Sequence, residues 1–316
     1  MLEESRTMTA AIEFDSVTKV YRRGFGGQEV PALTHVSFAV NAGEVCAFLG
    51  PNGAGKTTSI SILMGFHAAD WGQARVLGFE PGDVRAKKQI GFVPENFAFY
   101  KHLNAVKLLR FHAALAGVSL GEMDARITDL LGKVKLTGYE KLKIGKYSRG
   151  MVQRLGIAQA MLGDPQLLIM DEPTSGLDPA GRKEVRDLIF SLKAEGKTIF
   201  LSSHILSEVE QICDKAIIIN RGRLVREGTM QNLLTTGDKV EVIADQIPPE
   251  LETRLQEWGA TREQLPSGVK ILLPLERKRE VVEALWTAGA DVVSMQPLKS
   301  SLEELYMQVV GSENPS

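Results

Sequence analysis

The sequence predicts an α/β fold built on a mainly parallel sheet, followed by a small C-terminal α+β domain. Segments such as "VCAFL", "LLIM" and "TIFL" are continuously apolar, which is typical of strands buried on both faces of a parallel sheet. Helical stretches separate these strands, as in proteins that cover both faces of such a sheet with helices. The composition changes near 233–240, where a different alternation begins. We therefore place the first domain at 11–232 and the second at 238–316.

The bulk composition is typical of a globular protein without a general affinity for nucleic acid. The 316 residues are enough for about two domains, and 44% of them are hydrophobic. The net charge of −2 lacks the basic excess of nucleic-acid-binding proteins. Cys46 and Cys213 have no histidines at zinc-ligand spacing, which favours a reducing compartment over a disulfide framework. The apolar runs are far shorter than the roughly 18 residues that cross a bilayer, so any membrane role requires a partner.

The first elements of the chain, within 11–41, predict an antiparallel β subdomain. In "VSFAV", the residues Val36, Phe38 and Val40 alternate with their neighbours and are expected on one buried face. The glycine-rich stretch 22–28, "RRGFGGQ", predicts the loop of a hairpin.

A strand, a glycine-rich loop and a helix come next. The loop fits the pattern Gly-x-x-x-x-Gly-Lys-[Ser/Thr], in which backbone N–H groups and a helix N-terminus surround phosphates. Lys56 is expected to reach the β- and γ-phosphates, and the Thr57 hydroxyl to bind Mg²⁺. A turn that merely joins strand to helix is the alternative, and the flanking elements disfavour it. The predicted phosphate-binding residues are Gly50, Pro51, Asn52, Gly53, Ala54, Gly55, Lys56, Thr57 and Thr58.

A helical subdomain is predicted from about 97 to 163. Within it, Ser119 and Glu122 have the spacing of a capping box at the start of a helix. The same helix carries an apolar stripe at helical spacing. Its members are Met123, Ile127, Leu130, Leu131 and Val134.

Two carboxylates end the next apolar strand, in "LLIMDEP". Asp171 is placed to hold Mg²⁺, and Glu172 to activate a water for attack on the γ-phosphorus. Taken alone, the pair also fits ordinary solvation of a strand end, but the phosphate loop favours the catalytic interpretation. The strand "TIFLSSH" follows, and "KAIIINRGRLVREG" predicts a hairpin with its turn at Asn220–Gly222.

The C-terminal region predicts a small α+β domain. The segments "KVEVIAD", "VKILLPL" and "VVSMQPL" have the apolar pattern of strands, and "RKREVVEALWTAGA" and "SLEELYMQVVG" that of helices. The region has no cluster of catalytic residue types.

Four motifs together resemble the ATP-binding cassette (ABC) ATPase family, and more narrowly the ATPase subunits of ABC-2-type exporters. They are "GPNGAGKTT", "YSRGMVQRL", "LLIMDEPTSGLDP" and "TIFLSSHILSEVEQICD", in that order. The resemblance covers about 11–232 and is much weaker for the C-terminal domain. It implies a P-loop NTPase fold with a parallel core sheet, an antiparallel β subdomain and a helical subdomain.

The resemblance also implies roles for three further residues. Tyr21 is similar to the aromatic residue that stacks on adenine, although a core tyrosine at a strand end is the alternative. Asp178, in "PTSGLDP", is expected at a dimer interface near both sites. His204, at a strand end, is similar to the histidine that contacts the γ-phosphate and orients the water.

The sequence departs from the family pattern at two places. Glu95 stands where the family usually has a glutamine that touches Mg²⁺ and the attacking water. The stretch 147–151 replaces Leu-Ser-Gly-Gly-Gln by Tyr-Ser-Arg-Gly-Met, which keeps Ser148 and Gly150 and introduces Arg149. Ser148 is also a good helix N-cap, and an N-cap is compatible with binding an anion. In the family this element faces the ATP of the other subunit.

Three aromatic residues follow Glu95 and leave two interpretations open. Phe97, Phe99 and Tyr100 fit either a groove that receives a partner helix or the core of the helical subdomain.

The expected function is that of an ATPase that uses ATP and Mg²⁺ as a head-to-tail homodimer and drives a separate membrane-spanning permease. We expect it in the cytoplasm, peripheral to the inner face of the cell membrane, with no nucleic-acid partner. One alternative is a soluble ABC-type ATPase that acts on nucleic acid or ribosomes. Another is a phosphotransferase that uses the same phosphate loop.

Overall fold

The computed structural model describes residues 10–23, 28–299 and 301–311. The chain forms two compact units, of which the first ends at Met230 and the second begins at Gln231. Among the described residues, no helix combines the length and the apolar character that crossing a membrane requires.

The first unit contains nine described strands and most of the helices. The strands are β1 (Ala10–Arg23), β2 (Gln28–Asn41), β3 (Val45–Leu49), β4 (Trp71–Val76), β5 (Ile90–Val93), β6 (Leu167–Met170), β7 (Thr198–Ser203), β8 (Lys215–Asn220) and β9 (Arg223–Thr229). The helices are α1 (Lys56–Leu63), α2 (Val84–Lys87), α3 (Ala105–Leu115), α4 (Leu120–Lys133), α5 (Arg149–Ala160), α6 (Pro179–Ala194), α7 (Leu206–Ile212) and, across the boundary, α8 (Met230–Leu234).

The core sheet has the strand order β5-β6-β7-β3-β8-β9 in the described part of the chain. All its pairs are parallel except β8 with β9. Every residue of β3, β6 and β7 is buried, which explains the continuously apolar segments in the sequence. Because β3, β6 and β7 are parallel neighbours, the loops that follow them leave the same edge of the sheet.

The predicted antiparallel β subdomain is present as a sheet with the order β2-β1-β4. Val36, Phe38 and Val40 are buried, as their alternation predicts. Phe38 stacks on Phe14 with 4.6 Å between ring centroids and lies 5.4 Å from Phe48 of the core sheet, so aromatic packing joins the two sheets. The predicted hairpin loop falls partly on 24–27, outside the described residues.

Helices α3, α4 and α5 occupy the region predicted to be helical. The predicted apolar stripe of α4 is buried throughout. Ser119 is the N-cap of α4, as predicted, but the hydrogen bonds of a capping box do not form. Its hydroxyl donates to the Glu122 carboxylate at 2.7 Å instead of accepting from a backbone N–H. The two side chains satisfy each other because a carboxylate is a stronger acceptor than a hydroxyl.

Arg154 connects these helices through its buried guanidinium. Its Nη1 donates to the carbonyls of Val134 and Lys135 at 2.6 and 2.9 Å, at the C-terminal end of α4. Its Nε lies 3.2 Å from a carboxylate oxygen of Glu184 on α6, without the alignment of a hydrogen bond. The cation thus satisfies carbonyls that the end of α4 leaves free.

The second unit combines an antiparallel sheet with helices, which agrees with the predicted α+β character. Its elements are β10 (Thr235–Ala244), α9 (Glu252–Glu257), β11 (Thr261–Leu265), β12 (Gly268–Pro274), α10 (Lys278–Thr287), β13 (Val292–Lys299) and α11 (Leu302–Gly311), and the strand order is β11-β12-β10-β13. Val242, Ile271, Val281 and Leu285 are among its fully buried core residues. The strand β11 has the sequence "TREQL", which gave no apolar signal and was not predicted.

Candidate functional site

The loop between β3 and α1 is built from glycines for steric reasons. Gly53 and Gly55 have φ values of 81° and 110°, a region that residues with a Cβ rarely adopt. A Cβ at Gly55 would also lie 2.7 Å from the Ala32 carbonyl oxygen and 2.7 Å from a Leu33 methyl. The loop therefore needs bare backbone at both positions, as the sequence motif predicts.

Lys56, the first residue of α1, is buried with only 8% of its surface exposed. Its Nζ donates to the carbonyls of Gly50 at 2.6 Å and Pro51 at 3.3 Å. The first turn of α1 has no acidic residue, and Gly55 at its N-cap offers no side-chain acceptor. A buried ammonium and the positive end of a helix dipole thus meet at one loop, which is suited to bind phosphates.

The turn between β8 and β9 braces the phosphate loop. Arg221 and Gly222 have positive φ values of 46° and 75°, as in a type I′ hairpin turn at the predicted position. The Gly222 N–H donates to the carbonyl of Ala54 at 2.9 Å, and the Gly222 carbonyl accepts from the N–H of Thr34 at 2.7 Å. The turn therefore connects the phosphate loop to β2.

Glu172 and His204 are in direct contact at the edge of the sheet where the phosphate loop leaves β3. The Nδ1 of His204 lies 2.6 Å from Oε2 of Glu172. Since an ionised carboxylate can only accept, Nδ1 is the donor and Nε2 is left for another partner. Glu172 has a φ of 49°, an unusual conformation for a residue other than glycine. The structure thus brings together the two residues predicted to handle the water.

A serine that the sequence analysis missed holds both predicted carboxylate residues. Ser202 of β7 is fully buried. Its hydroxyl donates to Oδ1 of Asp171 at 2.6 Å and accepts from the N–H of Glu172 at 2.9 Å. The available signal was a hydroxyl within a strand buried on both faces, because such a group requires a hydrogen-bond partner.

The residues predicted to hold Mg²⁺ are separate oxygen ligands on three different elements. Among the described residues, no three or more His, Cys, Asp or Glu side chains form a ready cation cluster. Thr57 is exposed at the start of α1, Asp171 follows β6, and the exposed Glu95 follows β5, the neighbour of β6. This set fits Mg²⁺, which is commonly held by one or two carboxylates together with phosphate oxygens of the nucleotide.

Tyr21 lies near the end of β1 and is half-buried, so it is not a core tyrosine. Its ring meets the ring of His67 edge-on with 5.7 Å between centroids. Asp70 fixes the preceding backbone, because it accepts from the N–H of Val20 at 2.7 Å and from Nζ of Lys19 at 2.9 Å. These hydrogen bonds lower the pKa of the Asp70 carboxyl. No pattern in the sequence predicted a role for His67 or Asp70.

Ser148 is the N-cap of α5, as predicted, and accepts from the N–H of Met151 at 3.2 Å. Gly150 is not required by packing within the chain, since a Cβ there would meet nothing closer than Cα of Gly181 at 3.9 Å. Arg149 packs its guanidinium against Gly176, in the loop before α6. The hydrogen bond of Ser148 therefore lies within α5, and the contact of Arg149 lies at the loop before α6, not at the phosphate loop of the same chain.

Asp178 caps α6, and its Oδ1 accepts from the N–H of Gly181 at 3.1 Å. Asp178 therefore has a structural role in the isolated chain, next to the loop that Arg149 contacts. The predicted proximity to a dimer interface stays a prediction.

The aromatic residues after Glu95 line a cleft of about 940 Å³. Phe97 packs on Gly156 of α5 and stacks on Phe99 with 4.8 Å between centroids. Tyr100 is 61% exposed, and Phe111 of α3 lines the same cleft with 53% exposure. Phe97 thus packs inward, as the core interpretation predicts, whereas Tyr100 faces an open cleft. That this cleft receives a partner helix stays a prediction.

Comparison with known proteins agrees with this arrangement. A family model described as ABC transporter matches residues 33–175. An uncharacterised ABC transporter ATP-binding protein of Synechocystis sp. is 38% identical over 94% of this chain and 84% of its own length. The Nod factor export ATP-binding protein I of Rhizobium etli is 32% identical over 98% of this chain and 96% of its own length.

The fold is shared with a solved structure of an ATP-binding subunit of an ABC transporter. That structure is 32% identical, has a TM-score of 0.62, and is matched over 71% of this chain and 92% of its own. The predicted ABC ATPase fold is confirmed. With a phosphate loop, an acidic strand end and relatives matched over nearly its whole length, the chain belongs to the family of ABC transporter ATP-binding subunits.

Proposed function

We propose that this chain hydrolyses ATP with Mg²⁺, as one subunit of a head-to-tail homodimer that drives a separate membrane-spanning exporter. The observation that carries the proposal is the 2.6 Å contact between Glu172 and His204 at the strand edge beside the phosphate loop. A carboxylate held at one oxygen by a histidine has its second oxygen available to accept a proton from water.

The remaining residues bind and orient the nucleotide. Lys56 and the N–H groups of the phosphate loop hold the phosphates, and Tyr21 stacks on the adenine. Thr57, Asp171 and Glu95 hold Mg²⁺, which neutralises phosphate charge when bound. Glu172 accepts the proton of the attacking water, and His204 fixes the carboxylate that does so. The chemistry depends on positioning and charge neutralisation.

The homodimer is supported by the surroundings of Ser148 and Gly150. No atom of the same chain would exclude a Cβ at Gly150, so packing within the chain does not require a glycine there. The missing side chain instead leaves room for a group from another subunit to approach the backbone. Ser148 at the N-terminus of α5 offers a hydroxyl and helix N–H groups to an anion. We propose that these residues contact the phosphates of ATP held by the other subunit, with Asp178 near both sites.

The test of the catalytic assignment is Glu172→Gln, and the matched control is Glu13→Gln, a substitution of an exposed glutamate on β1. Glu172→Gln is expected to bind ATP and accumulate a dimer in light scattering while steady-state hydrolysis collapses. Hydrolysis at the parent rate would show that Glu172 is not the base. Hydrolysis by the parent protein without any acceptor separates this function from a phosphotransferase.

The membrane partner is supported by the cleft at Phe97, Phe99 and Tyr100. Its exposed aromatic rings fit one face of an amphipathic helix from a permease, which would hold the subunit at the inner face of the membrane. Export is suggested by the Nod factor relative. Tyr100→Glu is expected to abolish co-purification with a membrane protein and to leave basal hydrolysis intact. Co-purification of RNA or ribosomes instead would favour the soluble ATPase.

The boundaries 11–232 and 238–316 are proposed as functional domains. Truncation after Thr236 tests whether the second domain contributes to hydrolysis or to dimer mass. If the truncated protein keeps the hydrolysis rate and the dimer mass of the parent, the second domain has neither role and acts instead through a different protein partner.

A further inference from the structure

The hydroxyl of Ser202 holds two successive residues on the neighbouring strand. It donates to Oδ1 of Asp171 at 2.6 Å and accepts the N–H of Glu172 at 2.9 Å, at a position with no exposure to solvent. Both functions of the hydroxyl, donor and acceptor, are thus used by the two residues at the end of β6.

Glu172 requires such support because its backbone conformation is disfavoured. With a φ of 49° it lies in the left-handed region, where the Cβ of an L-residue is crowded. Such a conformation persists only where the surroundings impose it. Ser202 binds the N–H of Glu172, and His204 binds its carboxylate at 2.6 Å. The constraint on Glu172 therefore comes in part from β7 and the residue that follows it, and in part from the N–H of Ser175, which donates to the carbonyl of Glu172 at 3.1 Å.

We propose that Ser202 is a positioning residue for ATP hydrolysis: its hydroxyl imposes the left-handed conformation of Glu172 and thereby keeps the carboxylate of Glu172 on His204. The inference rests on the proposed hydrolytic function. Without the hydroxyl, the N–H of Glu172 and Oδ1 of Asp171 lose a common partner. Glu172 then relaxes towards negative φ, and its carboxylate leaves the position needed to accept a proton from water.

The test compares Ser202→Ala and Ser202→Cys with Ser202→Thr in the full-length protein. Alanine removes the hydroxyl, cysteine keeps a similar size with a weak donor, and threonine retains the hydroxyl in a residue suited to strands. The matched control is Thr198→Ala at the start of β7, which removes a buried hydroxyl that accepts from the N–H of Gly43 at 2.9 Å.

We expect kcat to fall roughly 10- to 100-fold in Ser202→Ala and Ser202→Cys, the range that small misplacement of a reacting group produces. Ser202→Ala and Ser202→Cys protein mixed with Mg·ATP and desalted is expected to retain unhydrolysed ATP, as is also expected of Glu172→Gln. Ser202→Thr is expected to retain turnover, and Thr198→Ala to hydrolyse ATP like the parent. A merely structural role would lower ATP retention and turnover together.

Two results would overturn the inference. One is parent-like kcat in Ser202→Ala or Ser202→Cys; the other is a joint loss of folding, ATP retention and turnover that threonine does not rescue. Failure of the proposed function is a separate observation, made on the parent and on Glu172→Gln alone. If the parent hydrolyses ATP and Glu172→Gln does not, the Ser202 variants test only the positioning role.

Discussion

The guanidinium of Arg149 lies against the backbone of Gly176, so that the first residue of α5 contacts the loop that leads into α6. A Cβ at position 176 would lie 2.7 Å from Nη2 of Arg149. Gly176 also has a φ of 66°, which favours glycine, and a side chain there would in addition have to displace this guanidinium. The arginine that departs from the family pattern therefore contacts this loop within the chain, while its side chain stays exposed to solvent.

Substitution of Gly176 by alanine is expected to destabilise the first unit more than an ordinary glycine substitution at positive φ. The left-handed conformation alone costs a residue with a Cβ about 1–2 kcal/mol, and displacement of the exposed guanidinium of Arg149 adds a smaller cost. Gly196→Ala is the matched control, with a φ of 79° and no atom within 4 Å of the added Cβ. Urea unfolding measures the free energy of unfolding of both variants.

The steric part of that effect is expected to disappear when Arg149 is truncated. In an Arg149→Ala background, Gly176→Ala should lower the free energy of unfolding no more than Gly196→Ala does. Only the cost of the left-handed backbone conformation then remains. Equal costs of Gly176→Ala in both backgrounds would contradict the contact between Arg149 and Gly176.

Replacement of Lys56 by alanine is expected to weaken ATP binding. Charge-assisted hydrogen bonds contribute about 1.5–3 kcal/mol, which corresponds to a loss of about 10- to 100-fold in affinity. Lys107→Ala, on the exposed surface of α3, is the control for loss of a positive charge. Titration calorimetry with ATP measures both, and unchanged affinity in Lys56→Ala would reject the assignment of the phosphate loop.

Protonation of Asp70 is expected to destabilise the protein in acid. The folded state lowers the pKa of this carboxyl below its ordinary value of 3.8, through the N–H of Val20 and then Nζ of Lys19. Its contribution is therefore complete above that value and is lost as the pH falls through the folded-state pKa. Asp70→Asn cannot titrate, so its unfolding free energy should fall less between pH 5 and pH 3 than that of the parent. An equal fall of the unfolding free energy in Asp70→Asn and in the parent would contradict this prediction.

Substitution of Arg154 is expected to lower the stability more than substitution of Glu184, although the two residues form one ion pair. Arg154→Met leaves the carbonyls of Val134 and Lys135 without their donor, which should cost about 1–3 kcal/mol. Glu184→Gln, whose side chain is 37% exposed, should change stability by less than about 1 kcal/mol. Urea unfolding of both variants checks this order, and a larger effect at Glu184 would refute it.

Local pattern was sufficient to predict the elements that build the site. The phosphate loop and the strands before Asp171 and His204 were predicted because a buried parallel strand has a continuous apolar sequence and a phosphate loop needs glycine. The apolar stripe of α4 was predicted for the same kind of reason, since helical spacing marks its buried face.

The missed features depend on residues that are far apart in the chain. Ser202 contacts Glu172 across 30 positions, and only the adjacency of β6 and β7 reveals it. Arg149 meets Gly176 through the packing of two helical segments. The strand β11 is mostly exposed, so it has no apolar alternation, and sheet pairing alone defines it.

The turn at Gly222 connects the phosphate loop to the last strand of the first unit. Gly222 is hydrogen-bonded to Ala54 of the phosphate loop, and β9 begins with the next residue and runs to Thr229, just before the first unit ends at Met230. The seven residues of β9, which pair with β8, therefore link the turn that contacts the phosphate loop to the point where the first unit ends.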